Sequence, residues 1–236
     1  MIVILANSLA YYDSTDTWYD VEDLKEEEMY PRVLQRNSGS EVATYAQPWL
    51  TVKDARSRVK KIPRSSDTAV FVLHVGIVES LPRVYPIAVR KFVNRFPVRR
   101  LRHRLNEFES RLIVMTKKSG SWITPEQYGR YLEETLANAR KRLNPEKIIL
   151  VNVFHVGGFV ESRRPGTNRN ITLLNSEIER RAKELGAYYL DANSFFDDSM
   201  FLIDRVHMNA AGHAMMAKLL QEAIEDQREI KTNPAL

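Results

Sequence analysis

The sequence contains no cysteine, which excludes disulfides, thiol nucleophiles and thiolate metal sites and fits a reducing compartment. It has no apolar run approaching the ~20 residues needed to cross a bilayer, so no transmembrane anchor is expected. Neither a G-x-x-x-x-G-K-[ST] phosphate loop nor a G-x-G-x-x-G fingerprint occurs. The five histidines, His74, His103, His155, His207 and His213, show no H-E-x-x-H or similar ligand spacing. No metal and no cofactor are therefore expected. The opening Met1 to Ser8 lacks the basic flank and small-residue cleavage site of a secretory signal, so the cytoplasm is the expected location.

What the chain does have is an ordinary globular balance, with 236 residues, 44% of them hydrophobic and 28% charged. That length and composition suit one continuous core, so a single domain over residues 1–225 is expected, with a polar tail at 226–236. The formal net charge is +5, and its densest cluster lies between Arg83 and Arg104, where Arg90, Lys91, Arg95, Arg99, Arg100 and Arg102 alternate with Phe92, Val93, Phe96 and Leu101. An insert at about 84–120 thus reads as a basic lid or wall. Three uses compete for it: a solvated face, a contact with an anionic substrate or membrane surface, and nucleic acid, the least expected of the three.

Along the chain, Ile2–Leu5 reads as a buried strand feeding a loop at Ser8. Residues 11–30 read as a loop and a short helix that stops before Pro31; Val33 and Leu34 could open a second strand, and residues 41–60 suggest a helix broken by Pro48. Thr68–Val75 and Ile148–Phe154 are continuous apolar runs of the kind found in central parallel strands. Thr124-Pro-Glu-Gln opens a helix with a capping box, Asn175–Leu185 is a second helix, Ala187–Asp191 the last strand, and Ala210–Ile224 an amphipathic terminal helix. Strands alternating with helices predict a mostly parallel sheet covered on both faces, with ligands beyond the carboxyl ends of its strands.

Two segments carry chemistry. Asp204 and His207 stand three residues apart ahead of the terminal helix, close enough for the carboxylate to fix the imidazole tautomer and leave the other nitrogen to accept a proton. Ser8 follows a buried strand at the ligand-binding edge, where a base and backbone donors could activate its hydroxyl. Taken singly, such a serine is usually a turn former and such an Asp/His pair a capped turn.

Together they resemble the SGNH, or GDSL-like, hydrolase family. Its first block, G-D-S-L after a strand, appears as Ala6-Asn-Ser-Leu9, and its last block, D-x-x-H-x-N-x-x-G-h, as Asp204 to His213. The resemblance implies a flavodoxin-like α/β/α sandwich with a five-stranded sheet. It implies Ser8 as nucleophile, His207 as general base and Asp204 as the orienting carboxylate. Ser8 and Gly39 would supply oxyanion N–H donors, Gly39 because Asn37-Ser-Gly-Ser40 resembles the second block.

The third block, normally G-x-N-D, stands here as Gly76-Ile-Val78-Glu79, so the usual side-chain amide is missing. Loss of one such donor typically costs about a hundredfold or more in rate. Asn7, Ser80, Asn152 and His155 are candidates to replace it. Gly76-Ile-Val-Glu-Ser-Leu-Pro-Arg83 resembles a divergent branch with G-I-V-D and a following P-R, which implies that Glu79 and Arg83 shape the substrate site, Arg83 through a carboxylate or phosphate. Asn7, Asn152 and His155 join them as candidate substrate contacts. The expected activity is an esterase or O-deacylase acting on an acylated saccharide or related polar metabolite, anionic where the basic insert meets it. An O-acyltransferase with the same triad, and a catalytically weak binding protein for an anionic glycan or nucleic acid, remain open.

Overall fold

The computed structural model describes residues 1–10, 24–65, 67–85, 99–116, 120–202 and 205–226, with the side chains of 99–103 and 106 left out. Five parallel strands form one sheet in the order β2-β1-β3-β4-β5: β1 Ile2–Ala6, β2 Val42–Ala46, β3 Val70–His74, β4 Lys147–Val151 and β5 Tyr188–Leu190. Every residue of β1 and β3 is buried, as their unbroken apolar runs require for strands covered on both faces.

Alternate side chains divide the core in two. Val3, Leu5, Phe71, Leu73, Ile148 and Leu150 point to the side covered by α2 (Val52–Val59), α5 (Pro125–Leu143) and α7 (Thr167–Glu184). Ile2, Ile4, Ala6, Val70, Val72, Ile149 and Val151 face α1 (Tyr30–Ser38) and α8 (Ala210–Glu225). The result is the expected three-layer α/β/α sandwich. Shorter helices α3 (Ile77–Ser80) and α6 (Gly158–Arg163) follow β3 and β4 at the carboxyl edge, and α4 (Arg99–Thr116) belongs to the basic insert.

The capping box at Thr124 forms as expected: its side chain accepts from the Gln127 N–H at 3.2 Å, and Gln127 Oε1 accepts from the Thr124 N–H at 3.1 Å. Three expectations for the first sixty residues are corrected. Val33 and Leu34 belong to α1, which runs through Pro31 because proline at the start of a helix forfeits no intrahelical bond. Tyr30, Val33 and Leu34 at i, i+3 and i+4 are its buried stripe. Residues 42–46 form strand β2 rather than a helix; at the sheet edge only Val42 is buried, so the segment lacks a clear alternation. Helix α7 begins eight residues before the expected Asn175. Within the expected insert, residues 86–98 and 117–119 lie outside the described residues, as do most of the expected tail (227–236) and Asp204.

Candidate active site

Ser8 opens a 3-10 turn, Ser8–Ala10, directly after β1. Asn7 fixes that turn from beneath: its N–H donates to the His74 carbonyl at 3.2 Å, and its Oδ1 accepts the Leu9 N–H at 3.0 Å. With Asn7, Leu9 and Ala10 buried, Ser8 is the partly exposed residue of the turn.

His207 arrives from the other end of the chain. An isolated antiparallel bridge between Phe201 and Met208, and a hydrogen bond from the Leu202 N–H to the His207 carbonyl at 2.7 Å, hold His207 in place. Asn209 then caps α8, its Oδ1 accepting the Gly212 N–H at 3.0 Å. Gly212 must be glycine because a Cβ there would come within 2.2 Å of the Met200 carbonyl oxygen. The Asn and Gly of the D-x-x-H-x-N-x-x-G pattern therefore seat the helix so that the histidine loop passes over the Ser8 turn. Ser8 Oγ and His207 Nε2 are 3.0 Å apart, within proton-transfer distance although the residues are 199 positions apart in sequence. Asp204, the expected orienting carboxylate, lies outside the described residues.

Beneath this pair is a layer of neutral aromatic groups that the sequence reading did not anticipate. The Tyr30 N–H donates to His213 Nδ1 at 3.3 Å, and the two rings stack at 6.0 Å. Tyr30 Oη lies 3.5 Å from His74 Nδ1. Burial pulls the His74 imidazole down to about 3; burial first, then the nearby His207 and His74, pulls His213 down to about 3. Burial pushes the Tyr30 hydroxyl well above its ordinary range. A histidine floor that stays neutral adds no positive charge under the base.

That floor has a consequence for stability. Unfolded histidine takes a proton below about pH 6.5, whereas these two remain neutral until about pH 3, so acidification favours the unfolded chain throughout that interval. Glu79 acts the other way: its carboxyl, raised to about 7 chiefly by burial, keeps its proton in the fold down from pH 7, and this opposing gain is complete near pH 4.5. Denaturant midpoints are therefore expected to fall most steeply between about pH 4.5 and 3, and His213→Gln should flatten that fall. An equal slope in the variant would rule the histidine floor out as its source.

The remaining candidate residues fall elsewhere. Gly39 is corrected: it is the left-handed C-cap of α1 (φ 64°), and its N–H is used by the Gln35 carbonyl at 3.1 Å. It precedes β2, whose first residue pairs with Ile2, so it sits about five residues of strand, roughly 16 Å, from the edge that carries Ser8. The segment that does follow β2 is Gln47–Leu50. The Gln47 N–H donates to the Ala6 carbonyl at 3.1 Å, and Trp49 adopts φ 62° where a glycine would be expected. Tryptophan gives no sequence signal for such a backbone.

Glu79 and Arg83 are both buried against other groups of the protein. Glu79 is 1% exposed and caps α2 by accepting the Val52 N–H. Arg83 is 4% exposed, paired with Glu109 of α4 at 3.3 Å, and lies over the rings of Trp49 and Trp122 at 5.5 and 5.1 Å. Asn152 is buried, linking Asp191 and the Ala192 N–H. His155 is exposed and meets Thr172 Oγ1 at 3.2 Å. Val78 is packed in the core, and Ser80 Oγ donates to the Ile77 carbonyl. Of the four groups considered as replacement donors, Asn7 alone keeps a buried amide N–H without a partner among the described residues, directly under the Ser8 turn.

Among the described residues, no group of three or more His, Asp or Glu side chains could hold a metal ion, and no helix is long and apolar enough to cross a membrane.

Solved structures share this architecture across nearly their whole length. A carbohydrate acetylesterase family member from Sinorhizobium meliloti superposes with a TM-score of 0.61 at 16% identity, covering 94% of this chain and 96% of its own. A phospholipase A1 from Streptomyces albidoflavus NA297 gives 0.59 at 15% identity, covering 94% and 98%. A catalytic mutant of an acetylxylan esterase from Geobacillus stearothermophilus gives 0.58 at 15%, covering 96% and 94%. At such identities these likenesses establish the fold. No curated protein sequence matches the chain. The model of the GDSL-like lipase/acylhydrolase family matches residues 11–215, a span that starts just past Ser8 and includes the whole Asp204–His213 motif. With that match over most of its length, the chain belongs to the GDSL-like lipase/acylhydrolase family of ester-hydrolysing serine hydrolases.

Proposed function

We propose that the protein is a cytoplasmic, cofactor-free esterase or O-deacylase that removes an acyl group from an acylated saccharide or related polar metabolite. Ser8 Oγ attacks the ester carbonyl while His207 Nε2 takes its proton; the tetrahedral intermediate expels the alcohol, which His207 protonates, leaving Ser8 acylated. Water, deprotonated by the same imidazole, then releases the acid and regenerates Ser8. Asp204 holds the imidazole from its other nitrogen, and the Ser8 N–H is the first oxyanion donor.

The observation carrying this reading is the 3.0 Å contact between Ser8 Oγ and His207 Nε2 at the carboxyl edge of the sheet. The saccharide preference is supported more loosely, by fold neighbours described as a carbohydrate acetylesterase and an acetylxylan esterase. A fluorophosphonate probe tests the nucleophile. Intact mass should reveal one adduct on the wild type and none on Ser8→Ala. Absence of an adduct on both proteins would instead favour a binding protein, the alternative to which the apolar Val78 lends weight.

A further inference from the structure

Helix α4 presents two unlike sides. Glu109 and Ile113 are buried toward the body of the protein, whereas Arg104, Phe108, Arg111 and Met115 are exposed. Their spacings of four, three and four residues place those four on one helical face, where cation and apolar group alternate. Phe108 is 53% exposed and Met115 is 77% exposed, so two large apolar side chains stand on one exposed face. The adjoining helix α6 repeats the pairing: Phe159 is 57% exposed, with the Arg163 guanidinium 4.5 Å from its ring centre.

We propose that this face docks on an anionic lipid bilayer, with Phe108 and Met115 entering the headgroup boundary and Arg104 and Arg111 meeting lipid phosphates. An interfacial helix needs an apolar row flanked by arginines whose stems lie along the boundary while their heads stay with the phosphates. The exposed side carries an excess of positive charge: Arg104 and Arg111 stand against one half-buried carboxylate, Glu107, while that of Glu109 is turned inward to Arg83 and Arg164. A second copy of the chain would bring the same excess of cations to meet it. A stable protein partner would also need about 800 Å² on each side, far more than two apolar side chains present. A planar bilayer asks only for a single row.

The placement would also matter for catalysis. Glu109 ties α4 to Arg83, just after α3, and to Arg164, just after α6. Both follow the carboxyl edge that carries Ser8, so docking would bring that edge toward the lipid surface. The inference does not depend on the esterase reading, because the test measures binding alone.

The full chain, and Ser8→Ala beside it, should sediment with vesicles of phosphatidylcholine containing about one third phosphatidylglycerol and stay in solution with phosphatidylcholine alone. Phe108→Ser/Met115→Ser should weaken partitioning on the order of tenfold without changing net charge. Arg104→Gln/Arg111→Gln should weaken it about fivefold per arginine. The single Met115→Ser variant, at the most exposed position, decides the matter if the double variant melts early. Three results would overturn the proposal. One is no binding to anionic vesicles. Another is binding that the serine variants leave unchanged, which marks bulk charge alone. The last is capture of an acidic amphipathic peptide without any vesicle binding.

Discussion

His207→Ala is expected to lower kcat against an activated ester by roughly three to six orders of magnitude, with Ser8→Ala falling in the same range. The expectation follows from the geometry of one contact. Without an acceptor 3.0 Å away, the Ser8 hydroxyl must lose its proton to solvent at a pH far below its own pKa. Since each residue is useless without the other, the double variant should be about as slow as either single one. Effects that multiplied would mean that the two act in separate steps, and the shared proton-transfer role would be lost. KM should move little, because neither group is expected to hold the substrate before the chemistry begins. The pH profile is informative as well: the floor of His74 and His213 stays neutral down to about pH 3, so it should add no inflection to kcat/KM between pH 5 and 8.

The site was legible where local chemistry and chain order agree. Ser8 after an unbroken apolar run and His207 ahead of the terminal helix fall in the first and last blocks of the resemblance, and their side chains meet at 3.0 Å. Gly39 shows how such reading fails. A glycine in a polar turn satisfies both the cap of α1 and the second family block, and only the register of β2 against β1 reveals that it stands at the wrong end of the sheet. The loop at the right end contains Trp49 in a left-handed conformation, invisible in sequence because the residue type argues against it. Arg83 was placed near the site by the resemblance of Gly76–Arg83 to a divergent branch, but its partner Glu109 is 26 positions away on a helix whose packing no periodicity announces. The same long-range pairing hid the role of Arg164. Buried aromatic contacts such as Tyr30 with His213 are equally silent, since they join residues 183 positions apart.

Glu109→Ala should destabilise the fold by about 3 to 5 kcal/mol, the usual cost of removing one member of a buried ionic cluster. Its carboxylate is 1% exposed and serves two guanidiniums at once, Arg83 at 3.3 Å and Arg164 at 3.0 Å, with side-chain exposures of 2% and 9%. It also accepts the Val84 N–H at 3.2 Å, which anchors the start of the insert. Burial already pulls the Arg164 guanidinium below its ordinary range, and Glu109 is what works against that pull. Alanine leaves the two cations facing one another in a poorly solvated site. For a chain of this length the thermal midpoint should drop by about 10 °C or more. Replacing the whole cluster, Arg83→Met/Glu109→Leu/Arg164→Met, should recover a large part of the loss, because matched apolar groups carry no desolvation cost. Failure of the triple variant to recover would assign the effect to shape and to the Trp49 and Trp122 stack over Arg83 instead of to charge. In that case the loop holding Trp49 beside the Ser8 turn should loosen too, and kcat should fall along with stability, whereas a purely ionic role leaves the activity of the folded fraction intact.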